Sequence, residues 1–378
     1  MDIQKHQEVD NVIPIANPLI GKEEKNAVIK VLSSGNLVNG EKVLDFEKKF
    51  SKYIGTKYAV AVNSGTAALC LSLQALGIKK GDEVITTPFS FISSSNCILY
   101  VGAKPIFVDI DPKTFNINPD LIEEKITKKT KAILPVHLYG QPCDMGKITK
   151  IAKENNLLIV EDACQAHGAE FKNKKVGSFG NTACFSFYAT KNMTTGEGGM
   201  ITTDSKQVAE ICKILRDVGQ EKKYFHTDIG FNFRMTDFQA VIGIEQLKKL
   251  DKRNELRRKN AKILTEKLEK IDGIITPFVD SRVKHVFHQY TIKTKRISND
   301  KLSKKLAKNG IESRIYYPIA IHKQEPYKKL GYRDRLPEAE QVVKEVLSIP
   351  VHPSVSKKDM GFIAEKIKEV HLKLTDNY

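Results

Sequence analysis

Seven short β-rich runs punctuate the first two-thirds of the chain, and they constrain its fold more than any other feature. They are YAVAV (58–62), EVITT (83–87), PIFVDI (105–110), AILPVHL (132–138), LLIVED (157–162), ACFSFYA (183–189) and GMITT (199–203). Helical patterns lie between several of them, at 66–76, 92–101, 119–126 and 144–155. Strands alternating with helices predict a mostly parallel sheet with helices on both faces. The near-continuous apolar runs AILPV and LLIV fit strands buried on both sides.

After this region the texture changes. Thr236 to Leu268 is one long helical stretch with room for a single break, and reads as a connector. Beyond it, GIITP (273–277) is followed by HVFHQYTIKT, which alternates like a half-buried strand. SNDKLSKKLAKNG begins with helix-capping residues and ends at Gly310. SRIYYPIAIH, LSIPVHP and a terminal helix from about Lys357 complete a small α+β unit. The expected division is an N-terminal arm at residues 1–50, with a helix at about 22–33, and a large α/β domain, together over residues 1–250. The connector helix and a smaller C-terminal α+β domain follow over 251–378.

The totals narrow the function classes. A chain of 378 residues, 41% hydrophobic, can bury the core such a pair of domains needs. No apolar run reaches the roughly 18–20 residues of a membrane span. Residues 1–17 are polar and charged without an apolar stretch behind them, so a cytoplasmic protein is expected. The six cysteines are scattered, with no CxxC pair, and read as reduced core thiols. The formal charge is +16, from 61 Lys+Arg against 45 Asp+Glu. These lysines interleave with glutamate, as in EEKITKKTK, and no basic run carries interleaved aromatics. That pattern reads as a solvated surface rather than a nucleic-acid face. A positive field would also help capture an anionic small substrate.

Candidate chemistry lies at the strand ends. In open parallel sheets, ligands bind beyond the carboxyl ends of the strands. YAVAV leads into Asn63-Ser64-Gly65-Thr66-Ala67 and then a helix, a turn that can offer free N–H groups to an anion or simply cap the helix. LLIVED ends on Glu161 and Asp162, and a carboxylate there needs a partner. His167 follows, but no third residue stands at metal-ligand spacing, and no metal is expected. Lys191 sits just past ACFSFYA and before the TTGEGG loop. A partly desolvated lysine has a lowered pKa and can attack carbonyls; alternatively it reaches to solvent. A Ser–Lys hydrolase lacks GxSxG here, and no SxxK element ends at Lys191, which has Tyr188 three residues before it. Taken in order, a phosphate turn, a strand-end aspartate, Ser186 and Lys191 match what pyridoxal 5'-phosphate requires: a cradle, an acid for the ring nitrogen and a Schiff-base lysine.

At this point the sequence resembles the DegT-type nucleotide-sugar aminotransferases, a branch of the fold-type I pyridoxal-phosphate enzymes. The resemblance runs from about Ile13 to the C-terminus. Its words are NSGTAAL, GDEVITTPFSFISSSN, PVHLYG, EDACQAHGA, GSFG, SFYATKNMTTGEGG, GFNFRMTDFQA and YYPIAIH. It implies a large domain with a seven-stranded sheet between helices. It also implies roles: Lys191 joins the cofactor, Asp162 holds the ring nitrogen protonated, and Gln165 contacts the ring hydroxyl. Phe91 stacks on the ring, and Gly65, Thr66, Ala67 and Ser186 bind the phosphate. Asn232 resembles the residue that reaches the phosphate from a partner subunit, which implies a homodimer with composite sites. His167, His322, Arg234 and Arg314 are candidates for substrate contact, with packing roles as the alternative; His137 is expected to be structural. One branch of the family carries histidine in place of the lysine and dehydrates the sugar at C3, so Lys191 favours transamination. The implied reaction moves an amino group, with L-glutamate the expected donor, to C3 or C4 of a nucleotide-linked keto sugar for surface polysaccharide. The alternatives are a cyclitol aminotransferase, a sugar dehydratase, or a non-enzymatic regulatory protein.

Overall fold

The structure is a computed structural model, and it describes residues 12–38 and 40–375. The seven apolar runs form β1 (Tyr58–Val62), β2 (Glu83–Thr86), β3 (Lys104–Phe107), β4 (Thr130–Leu134), β5 (Leu158–Asp162), β6 (Thr182–Ser186) and β7 (Gly199–Thr203). They make one sheet in the order β1-β7-β6-β5-β4-β2-β3. The β6–β5, β5–β4, β4–β2 and β2–β3 pairs are parallel, and β7 runs antiparallel to both its neighbours. Six strands therefore end on one edge of the sheet, and β7 begins there. Gly199 opens β7 in register with Val62, the last residue of β1, and with Ser186, the last of β6.

Helices cover both faces, as continuous apolar strands require. On one face α3 (Gly65–Ala75) is apolar nearly all round and buried between the sheet, α4 (Ser93–Tyr100) and α6 (Lys206–Arg216). On the other, α2 (Glu41–Ile54) buries Val43, Phe46, Phe50 and Ile54 at helical spacing. The ring of Phe50 meets Phe185 at 5.0 Å and Phe187 at 5.5 Å. Most of this helix falls within residues 1–50, the stretch read as an arm. The helix expected at 22–33 is α1 (Lys22–Ser34). α5 (Met145–Glu154) starts on an Asp144 cap.

The segment 119–126 is not an α-helix. It forms two 3-10 turns, Pro119–Leu121 and Glu123–Lys125. Only Ile122 in it is fully buried, and so short a segment cannot offset helix nucleation without more packing. The connector is unbroken: α7 runs Asp237–Leu268, 32 residues, which at 1.5 Å per residue is about 48 Å. Thr236 and Gln239 close a capping box at its start. Its first half packs on α2 through Ala240, Ile244 and Leu250; its last turns enter a second core through Ala261, Leu264 and Leu268.

That second core holds a small antiparallel sheet of β8 (Ile274–Ile275), β9 (Tyr290–Thr294) and β10 (Val346–Ile349), covered by α8 (Asn299–Ala307) and α9 (Lys357–Thr375). The strand expected across 285–294 starts only at Tyr290. Before it, Val286 N donates to Gly140 O (3.1 Å) and Gln289 N to Tyr139 O (3.2 Å), so this backbone is tied to the loop after β4. Residues Ala320 to Val346 contribute Tyr327, Leu336, Ala339 and Val342 to the core of the large sheet. The chain thus returns to the first unit after entering the second. Among the described residues, no helix is long and apolar enough to cross a membrane.

Candidate active site

The strand ends meet the returning chain around a cavity of about 840 Å³. Its wall includes Gly65 and Thr66 after β1, Phe91 after β2, Asp162 and Gln165 at and after β5, and Ser186 and Lys191 at and after β6. Residues 288–289 and 315–318 close the side facing the small sheet.

The anion cradle is built by close approach. Ser64 caps α3 by accepting from Ala67 N (3.1 Å), which consumes that N–H and leaves the earlier ones at the helix start unbonded within the helix. A side chain on Gly65 would begin 2.7 Å from Ser186 Cβ and 2.9 Å from Cys164 Sγ. One on Gly199 would begin 2.3 Å from Ser64 O. Glycine at both positions lets the turn, Ser186 and the start of β7 touch. The positive end of the α3 dipole points at the same place. Ala67 is buried and does not line the cavity.

Asp162 is 4% exposed. Ser94 Oγ donates to its Oδ2 (2.7 Å) and Cys164 N to its Oδ1 (3.1 Å). Ser94 has then spent its only hydrogen, so Ser90 Oγ donates to Ser94 Oγ (2.9 Å). Among the described residues no cation pairs with this carboxylate, and its remaining lone pairs suit a protonated ring nitrogen. Gln165 Oε1 accepts from Tyr139 N (2.9 Å), which leaves Nε2 to Tyr317 Oη (3.2 Å). Phe91 is 55% exposed, 6.3 Å from the Tyr317 ring, so one aromatic face stands open at the mouth. Burial holds the Lys191 pKa below its ordinary value, against opposing effects of Cys164 and Asp162. An anion cradle, a buried carboxylate with no salt bridge among the described residues and a lysine inclined to lose its proton are the donor set that pyridoxal phosphate needs.

The other candidates lie elsewhere. His167 is fully buried between Phe185 and Phe187, and burial pushes its pKa down to about 3. His322 is buried against Phe107 and bonded to Glu340 (3.1 Å). Arg234 pairs with Asp217, and Arg314 with Glu312. None of the four lines the cavity. Asn232 is exposed and outside it too, with its carbonyl accepting from Asn63 Nδ2 (3.4 Å). His137 is buried and bonded to Glu161 (3.1 Å). Ser94, Tyr317 and His288 were not picked out from the sequence. Ser94 and Tyr317 sit inside quoted motifs, FISSSN and YYPIAIH, whereas His288 lay within an apparent strand.

The model of the DegT/DnrJ/EryC1/StrS aminotransferase family matches residues 18–368. The chain belongs to that family. GDP-perosamine synthase from Caulobacter vibrioides is 39% identical, covering 95% of this chain and 98% of the relative. UDP-N-acetyl-3-dehydro-alpha-D-glucosamine 3-aminotransferase from Acidithiobacillus ferrooxidans is 37% identical, over 90% and 91%. The PMP-form structure of the putative sugar aminotransferase Spr1654 from Streptococcus pneumoniae aligns at a TM-score of 0.93 and 30% identity, covering 97% of this chain and 99% of that one. The DegT-family fold thus accounts for the sheet and for the cavity at its carboxyl edge.

Proposed function

We propose that this protein is a pyridoxal-phosphate-dependent aminotransferase that moves an amino group from L-glutamate to a keto group, at C3 or C4, of a nucleotide-linked sugar. The product would serve glycan or surface-polysaccharide synthesis. Family membership and the named sugar-nucleotide relatives support the reaction class. The carrying observation is Lys191, its pKa lowered by burial, in one cavity with the buried carboxylate of Asp162.

In this reading Gly65, Thr66 and Ser186 would hold the cofactor's phosphate at the positive end of α3, without Ala67, whose N–H is taken by Ser64, and Asp162 would hold a proton on its ring nitrogen. Gln165 would meet the ring hydroxyl, Phe91 would cover a ring face, and the Lys191 amine would bond to the cofactor's aldehyde carbon. When bound, the cofactor supplies that aldehyde and an electron-withdrawing ring. The free Lys191 amine would be a base that takes up and returns a proton, because burial disfavours its charged form. Ser94 donates to Asp162 and Ser90 to Ser94, which holds the carboxylate in place. Asn232, exposed and outside its own cavity, would complete the phosphate site of a second copy. Nucleotide-sugar chemistry and six unpaired thiols fit the cytoplasm.

The test is to load the purified protein with pyridoxal phosphate, record its visible band, and add L-glutamate alone. Bleaching to the pyridoxamine form is expected. A band that glutamate leaves unchanged would overturn the donor, and no band at all would overturn the role of Lys191.

A further inference from the structure

His288 stands in the wall of the same cavity, and its tautomer follows from a chain of side-chain amides. Asn254 Nδ2 donates to His167 O (2.8 Å), which leaves Asn254 Oδ1 to accept. Asn192 Nδ2 donates to that Oδ1 (2.9 Å) and to Val286 O (3.1 Å), so Asn192 Oδ1 is an acceptor. It faces His288 Nδ1 at 3.3 Å, and Nδ1 therefore carries the hydrogen. Burial, then the charges of Lys191 and Arg257, hold the imidazole neutral. A neutral imidazole protonated on Nδ1 bears a lone pair on Nε2. That atom has no protein partner among the described residues.

The backbone around it is equally constrained. Arg257 on α7 is buried and donates to Phe287 O (3.1 Å) and His288 O (3.4 Å). Asn192, which sets the ring, is the residue after Lys191, so the lysine's loop and the histidine are held by one side chain. The titratable groups around Lys191 are Asp162 and Cys164 from the end of β5, His167 beyond them, and His288 across the cavity wall.

We propose that His288 is a positioning residue for Lys191, its Nε2 accepting a hydrogen bond from the lysine whenever the lysine carries the proton. Taking that proton itself would set a second cation beside buried Arg257, so the imidazole steadies the proton without removing it. The inference rests on Lys191 being the reacting amine, and it explains how a buried ammonium persists long enough to return its proton.

The experiment uses the apo-protein and reads no turnover. Lys191 is titrated by competitive acetic anhydride labelling, resolved by peptide mass spectrometry. In His288→Leu the midpoint should fall by about one pH unit, which is about a tenfold rise in labelling at a fixed pH below it. His288→Gln, whose amide oxygen can accept, should fall less. A Leu variant that titrates like wild type overturns the proposal. Should that variant not fold, Asn192→Ser keeps the imidazole but frees its tautomer. It should give a smaller fall in the same direction, and no fall overturns the proposal. Failure of glutamate bleaching would defeat the functional reading and leave this titration standing; an unchanged titration would defeat only the role of His288.

Discussion

Ser94 Oγ donates to Asp162 Oδ2 at 2.7 Å, joining α4 to the end of β5 at the cavity wall. A hydrogen bond to a charged group contributes about 1.5–3 kcal/mol, or about 10- to 150-fold in rate when it supports a charge the reaction needs. Ser94→Ala should therefore slow the glutamate half-reaction within that range, measured by single-turnover bleaching. Cofactor affinity should fall less. Equal rates in both proteins would make Ser94 a bystander.

Lys191 should also set a pH dependence of stability. Its folded pKa is lowered by burial, whereas the unfolded lysine titrates near 10.4. Between those values the unfolded chain binds the extra proton, so stability of the apo-protein rises with pH through that window. Lys191→Met removes the cost of the buried charge. The variant should melt higher than wild type at neutral pH, with the gain shrinking toward pH 10. A constant difference across pH would contradict this.

Gly199→Ala should damage the cradle and spare the fold. The new methyl would meet the backbone carbonyl of Ser64, which has no free rotation to escape it. We expect at least about a tenfold loss of pyridoxal-phosphate affinity, read by fluorescence titration, with an unchanged circular dichroism spectrum.

Arg216 and Glu47 form a buried ion pair that also binds both polar groups of Ala61 in β1. Truncating either partner alone should cost about 3–5 kcal/mol in denaturant unfolding, because the other charge is left buried. Replacing both with leucine or methionine should cost less than either single change. An additive double mutant would rule out coupling.

The proposed composite sites predict complementation. A mixed dimer of Lys191→Ala and Asn232→Ala chains has one site with both residues intact. Refolding the two inactive variants together should restore part of the activity, and no recovery would argue that each chain works alone.

Much of the architecture was legible from the sequence because it depends on short-range pattern. A strand buried on both faces is mostly apolar, so the runs that became β1 to β7 could be read from the sequence, and the residues at their ends follow from the rule that ligands sit at carboxyl edges. Asp162, Ser186, Lys191 and Gly65 were reachable in that way. Segment 119–126 was misread because helical spacing without enough buried area does not make a helix, and α2 was missed because its amphipathic pattern lay within a stretch read as an arm.

What the sequence by itself determined, then, is the sheet, the covering helices and the chemistry stored at the strand ends. Tertiary structure alone decided which distant groups join them. Ser94 meets Asp162 across 68 positions, and Asn192 meets His288 across 96. It also decided which cationic candidates are neutralised, since Arg234 is claimed by Asp217 and Arg314 by Glu312. The physical reason is that hydrogen bonds and ion pairs form between neighbours in space over a few ångströms. No period in the chain records which neighbours the crossover connections will bring together.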